Sequence, residues 1–195
     1  MGHTINSKGV KPQWDKVKCI KDYPRPRNSK QVQSFLGLAS YYRKFIRNFT
    51  DVSRPLDGLR RCKDFVWTDT HELAFNKLKE AITKESILHY PDFSKEFILT
   101  ADASNEAIGG VISQIDDEGN DRPVTFASRA LSSAERNYSA LEREALAVIF
   151  MLERNRYFLL GHPIRVKSDH QPLKYLFDDG KLLPRQARWL EILLE

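Results

Sequence analysis

Near Glu96 the spacing of apolar residues changes, and a different period begins. After that point the chain reads as short strands. Phe97 to Ala101 is one, Ile108 to Ile115 a second and Val124 to Ala127 a third, with the Asp116 to Asn120 cluster as a hairpin turn. A long amphipathic helix follows, starting near Ser132 or Ser133, with Leu141, Ala145, Val148, Ile149 and Leu152 on one face. Gly161-His162-Pro163 stops it, and Ile164 to Lys167 reads as a fourth strand. A short helix near Leu173 to Phe177 and a last helix from about Pro184 complete the chain. Three hairpin-linked strands, a crossover helix and a further strand imply a mixed sheet with helices packed on it. The expected class is therefore α/β, of the α+β kind.

Before Glu96 the pattern is helical. Gly2 to Val17 reads as a strand or hairpin piece leading into a loop. Tyr23-Pro24-Arg25-Pro26-Arg27 cannot be helix interior and marks a linker. Asn28 or Ser29 then caps a helix in which Val32, Phe35, Leu36, Ala39, Tyr42 and Ile46 recur at helical spacing, with Arg43, Lys44 and Arg47 on its other faces. Pro55 is expected to break the next segment. Thr68 caps a second helix with Leu73, Ala74, Leu78, Ala81 and Ile82 as its apolar face. Pro91-Asp92 ends this region, so the chain divides into residues 1–93 and 94–195.

Charge is divided along the chain. Residues 1–63 hold 15 Lys and Arg against 4 Asp and Glu, whereas residues 64–195 hold 16 against 22. A basic segment beside an acidic one fits a polyanion partner for the first and metal for the second. Uneven surface charge serving solubility is the bland alternative. No apolar run approaches a bilayer-spanning length, so no membrane partner is expected. Cys19 and Cys62 have no metal-ligand spacing and read as free thiols in a reducing compartment, cytoplasmic or nuclear.

Three acidic residues fall where a mixed sheet gathers side chains. Asp102 lies just past the first strand, Glu144 on the long helix and Asp169 at the end of the fourth strand. Two-metal hydrolysis of a phosphodiester needs hard oxygen ligands, which carboxylates supply to Mg²⁺. Each acid also has an ordinary reading. A lone strand-end Asp is more often a turn residue, and a lone helical Glu is usually solvated.

The blocks around these acids carry a resemblance. Thr100-Ala101-Asp102-Ala103-Ser104 with Ile108-Gly109-Gly110-Val111-Ile112-Ser113-Gln114, then Phe126 to Leu131, then Tyr138 through Glu142-Arg143-Glu144-Ala145-Leu146-Ala147, stand in order. Arg156 to Gly161, Ser168-Asp169-His170-Gln171-Pro172-Leu173 and the surroundings of Trp189 follow. They resemble the RNase H domain of gypsy-type LTR retrotransposon Pol polyproteins. Phe35-Leu36-Gly37-Leu38, Tyr41 to Ile46, Pro55-Leu56, Phe65 to Thr68, Ala74-Phe75 and Leu88 to Phe93 are similar to the reverse transcriptase thumb of the same elements. Gly2-His3 resembles the start of the strand leading into it.

The resemblance implies a small helical thumb or connection over residues 1–93 and an RNase H-like mixed sheet over 94–195. It implies that Asp102, Glu144 and Asp169 hold two Mg²⁺ or Mn²⁺ ions and that the RNA strand of an RNA:DNA hybrid is cut. It also implies that Arg43, Lys44 and Arg47 touch phosphates, although these three fit a solvated helix face equally well. The rest of a Pol polyprotein is an expected partner. Two departures stand against activity. The family pattern continues to a further strand and a helix carrying a fourth metal-binding Asp, while this sequence stops at Glu195. The polymerase palm with its Tyr-x-Asp-Asp is absent, and Asp178-Asp179 is no substitute because Leu176 stands where the aromatic belongs. A non-catalytic nucleic-acid-binding relic and a partner-binding module are the alternatives to a nuclease.

Overall fold

The computed structural model describes residues 3–7, 9–60, 62, 64–83, 87–167 and 184–193. The chain divides into two compact units, Met1–Tyr90 and Pro91–Glu195. The sequence pattern set the change slightly later, after Phe93.

The first unit opens with a hairpin of β1 (His3–Asn6) and β2 (Gly9–Pro12). The Asn6 side chain accepts a hydrogen bond from the Gly9 amide at 3.1 Å, closing the turn. The hairpin leads into helix α1 (Trp14–Lys21), not a loop. Val17 and Ile20, three residues apart on one face, are both buried, and that anchoring holds a segment too short to be stable alone. Helix α2 (Ser29–Tyr41) begins at Asn28, whose side chain accepts from the Gln31 amide at 2.9 Å. Its buried face is Val32, Phe35, Leu36 and Ala39.

Three further expectations for this unit need correction. Helix α2 ends at Tyr41, and Arg43–Phe45 form one 3₁₀ turn, so Arg43, Lys44 and Arg47 do not lie on that helix. Pro55 breaks nothing and sits inside helix α3 (Phe49–Leu59). A proline there gives up the bond to the Asp51 carbonyl. The helix continues because Phe49, Ser53, Leu56 and Leu59 form a buried stripe packed against α2 and helix α4 (Asp69–Thr83). On α4 the buried face is Ala74, Phe75, Leu78 and Ile82, while Leu73 is 57% exposed. Phe75 meets the Phe35 ring at 4.6 Å between centroids and that of Trp67 at 5.9 Å. Thr68 does stand at the start of α4, with its carbonyl accepting from the amides of His71 and Glu72.

The second unit is a four-stranded sheet in the order β5-β4-β3-β6. Strands β3 (Phe97–Ala103), β4 (Ala107–Ile115) and β5 (Asp121–Ala130) are antiparallel neighbours. Helix α5 (Ala140–Arg154) crosses over to β6 (Ile164–Lys167), which pairs parallel with β3. This is the expected mixed sheet. A four-residue helix, α6 (Arg156–Leu159), precedes β6, and helix α7 (Pro184–Leu193) packs on α5. Phe97, Leu99, Ile112, Val148 and Met151 form one core cluster between sheet and helix. Ile108, Ala145, Leu146, Ile149 and Trp189 form a second, bringing α7 into the core. The Gln114 side chain accepts from the Asp92 amide at 2.8 Å and donates to the Asp92 and Lys95 carbonyls at 2.8 and 3.2 Å. The entry to β3 is thereby pinned to β4.

The long helix starts later than Ser132 or Ser133. Two Ser-x-x-Glu sequences follow one another here, and each forms a reciprocal cap. In the first, the Ser132 amide donates to Glu135 at 2.8 Å and the Glu135 amide donates to Ser132 at 3.3 Å. It opens only the 3₁₀ turn Glu135–Asn137, because Tyr138 is extended at φ −69°, ψ 149°. The second, Ser139 with Glu142, opens α5 itself. The helix expected near Leu173 to Phe177 lies outside the described residues, as do Asp178 and Asp179. Among the described residues no helix is long and apolar enough to cross a membrane. Cys19 and Cys62 are exposed and take part in no disulfide among the described residues.

Candidate functional site

Asp102 belongs to β3 and does not lie beyond it. It stands one residue from the strand end and faces Gly109 across the β3–β4 ladder. Ala101 and Ala103, on either side, pack against the cluster that contains Ala145 of α5. Asp102 itself, one residue from the strand end, is exposed. Glu144 occupies the first turns of α5 and is half-buried, beside Ala145, which is fully covered. Leu141, one turn before Glu144, packs on the same cluster as the two alanines. The fold thus sets Asp102 and Glu144 on elements that pack together. Asp169 lies outside the described residues, two positions beyond the end of β6. Among the described residues no group of three His, Cys, Asp or Glu side chains assembles into a metal-binding set. The two carboxylates that are described offer hard oxygen donors, which in kind fit Mg²⁺ or Mn²⁺.

The surroundings of these two acids are held by arginines that the sequence pattern did not reveal. Ser104 shapes the β3–β4 turn, its hydroxyl accepting from the amides of Glu106 and Ala107 at 3.2 and 2.9 Å. Arg143 donates to the Asn105 side chain in that turn at 2.8 Å and to the Tyr138 carbonyl at 3.2 Å. Arg136 pairs with Glu106 at 3.2 Å. Arg129 makes a two-pronged ion pair with Glu135, both contacts at 2.8 Å. Glu142, at the edge of the core, accepts from Ser139 and from Arg185 of α7, whose Nε lies at 3.0 Å. The same guanidinium sits 4.6 Å from the centre of the Tyr138 ring. Burial pushes the Glu142 carboxyl up, but Arg185 and Ser139 outweigh it and hold it below its ordinary value. One signal could have revealed Glu142: the Ser139-x-x-Glu142 spacing is a cap signature. Nothing local marks Arg185, which is 43 residues away in sequence.

The Arg129 ion pair, aided by Ser132, holds the Glu135 carboxyl down at about 2 against an ordinary value of 4.5. A folded-state pKa below the unfolded one stabilises the protein above pH 4.5, and that contribution is lost as pH falls toward 2. Acidification from pH 6 to pH 3 is therefore expected to remove on the order of 1 kcal/mol through this group, allowing for its partial exposure. Denaturant titrations of the parent and Glu135→Gln at both pH values check it. The gap between the two should narrow at pH 3, and a constant gap would refute the assignment.

The basic side chains singled out in the first unit lie around the 3₁₀ turn. Arg43 and Arg47 are exposed, and Arg43 lies 5.5 Å from the Phe49 ring centre. Lys44 is half-buried, 5.2 Å from the Phe45 ring centre, and burial lowers its ammonium pKa.

Sheet order, crossover helix and strand-borne carboxylate together define an RNase H-type architecture. Residues 67–166 match the family described as the RNase H-like domain found in reverse transcriptase. The chain belongs to that family. It is 42% identical over 191 residues to the retrovirus-related Pol polyprotein from transposon 297 of Drosophila melanogaster, a match covering 97% of this chain and 18% of that protein. It is 38% identical over 203 residues to the Pol polyprotein from transposon gypsy of the same organism, covering 97% and 19%. To the transposon Tf2-3 polyprotein of Schizosaccharomyces pombe it is 34% identical over 195 residues, covering 97% and 15%. The chain thus spans a fifth or less of these relatives. Among solved structures, a foamy viral protease-reverse transcriptase in complex with an RNA/DNA hybrid superposes with a TM-score of 0.75 at 24% identity, covering 99% of this chain and 27% of that one. A complex of the foamy viral protease-reverse transcriptase with dsDNA gives 0.79 at 24% identity, covering 100% and 42%. At that identity the likeness is one of fold.

Proposed function

We propose that the second unit hydrolyses the RNA strand of an RNA:DNA hybrid, with Asp102, Glu144 and Asp169 holding two divalent ions, Mg²⁺ or Mn²⁺. The observation that carries this reading is the placement of Asp102 on β3 and Glu144 on α5, two packed elements inside the segment matching the RNase H-like family. Bound there, such ions supply a water of lowered pKa and neutralise charge on the scissile phosphate. The chain's own part is to hold the oxygen donors in place and leave one side open to a polyanion. Asp102 is exposed at the end of its strand, which suits that role. The first unit acts as a thumb-like grip on the hybrid backbone, with Arg43, Lys44 and Arg47 as phosphate contacts. The chain works within a Pol polyprotein, in an intracellular compartment.

A second reading is a hybrid-binding module without cleavage. It is favoured by the basic charge of residues 1–63 and by the exposure of Arg43 and Arg47. Both readings predict binding that weakens steeply as salt rises. They separate on cleavage of an end-labelled RNA:DNA hybrid by the 195-residue chain in Mg²⁺ or Mn²⁺, with and without EDTA. Cleavage of the RNA strand that EDTA abolishes is the expected result. Hybrid binding without cleavage by the folded protein would favour the second reading, and cleavage that survives chelation would sink the metal mechanism.

A further inference from the structure

Asp102 and Glu144 come from different elements, so something must fix their separation. Asp102 stands near the end of its strand with the β3–β4 turn close behind it. That turn is tied to the segment leading into α5 by side chains. Arg143 is the most direct tie. It adjoins Glu144 in sequence, and its guanidinium reaches Asn105 Oδ1 at 2.8 Å and the carbonyls of Tyr138 and Arg136 at 3.2 and 3.5 Å. One planar group therefore bonds at once to the turn after Asp102 and to the strap before α5. Arg136 adds a second tie to Glu106 at 3.2 Å, and the Leu131 amide bonds to the Glu106 carbonyl at 2.8 Å.

We propose that Arg143 is a positioning residue for the metal site: by holding Asn105 it sets the distance between the Asp102 and Glu144 carboxylates. This rests on the metal-site reading above. Its hydrogen bonds occupy it within the protein, so its contribution to the ions is geometric. Side chains that orient ligands from behind commonly change metal affinity at least tenfold when removed.

Charge and geometry predict opposite signs, which makes the proposal testable. Arg143 carries a positive charge close in sequence to an acidic ligand. If it acted only as a charge, its removal would tighten binding of a cation. If it positions the ligands, removal weakens binding. The probe is Mn²⁺ alone, titrated into the full 195-residue chain by calorimetry and by the paramagnetic signal of free ion, with Tm recorded for each variant. The expected result is Mn²⁺ affinity about tenfold weaker in Arg143→Ala with Tm little changed. Asn105→Ala leaves the charge of Arg143 in place and removes only its anchor in the turn, so it should weaken binding in the same direction. It also keeps the test open should Arg143→Ala fail to fold. Arg143→Lys, which keeps the charge but loses the planar fork, should fall on the weakened side too. Unchanged or tighter Mn²⁺ binding in Arg143→Ala, or unchanged binding in Asn105→Ala, overturns the positioning role while leaving the metal site standing. Parent binding no tighter than that of Asp102→Asn overturns the metal site and the positioning role together.

Discussion

Asp102→Asn is expected to lower metal-dependent cleavage of an RNA:DNA hybrid by about three orders of magnitude while leaving the fold intact. The substitution keeps the size and shape of the side chain and removes one formal charge from the proposed ligand set. Losing a hard anionic donor weakens capture of a hard divalent ion and removes charge stabilisation worth several kcal/mol in the transition state. About 4 kcal/mol corresponds to roughly a thousandfold in rate. The fold tolerates the change because Asp102 is exposed and its neighbours Ala101 and Ala103 make the core contacts. A stability change within about 0.5 kcal/mol is expected. Single-turnover cleavage beside a thermal melt measures both quantities. A variant that cuts within a few-fold of the parent would place the catalytic centre elsewhere.

Gly110→Ala is expected to destabilise the second unit by about 2–3 kcal/mol, the upper range for overpacking a filled site. A Cβ built on Gly110 would lie 2.5 Å from the Thr100 carbonyl oxygen, 3.1 Å from Met151 and 3.2 Å from the Ala101 Cα. Met151 can turn aside, but the Thr100 oxygen belongs to β3, the strand that carries Asp102. The clash therefore falls on the backbone between two central strands. For a unit of about 100 residues, each kcal/mol lowers Tm by roughly 4–8 °C, so a fall of about 10–20 °C should appear in a thermal melt. Gly37 offers the contrast, since nothing lies within 4 Å of its would-be Cβ in α2. Gly37→Ala should leave stability equal or slightly raised, because alanine favours helix over glycine. If both variants melt like the parent, close packing between β3 and β4 is not what the glycine serves.

Much of the architecture was legible because it rests on periodicity. Short apolar runs after Glu96 marked β3 and β4, and the strand–helix–strand order led to a mixed sheet, since consecutive strands pair readily and a crossover returns parallel. Asn28 was legible as a cap because its role depends on residues three positions away. The failures share a cause as well. Pro55 sits in a helix against its own preference because a buried stripe outweighs one missing bond. Ser132 and Ser139 carry the same local signature, yet only the second opens a long helix, because burial from Ala145 onward supports it. Leu73, expected on the apolar face of α4, is exposed, while Phe75 is buried against the rings of Phe35 and Trp67.

For the proposed site, Asp102, Glu144 and Asp169 were singled out by the blocks around them, which resemble RNase H motifs, because each acid alone also reads as a turn or solvated residue. Their fixation is another matter. Glu142 and Arg185 meet across 43 residues, Arg143 and Asn105 across 38, and Asp102 faces Gly109 through a hairpin register. Local sequence encodes which side chains can cap, alternate or ligate, because those properties act over a few residues. Which guanidinium reaches which carboxylate depends on strand pairing and helix packing between distant segments, and only the tertiary structure decides that.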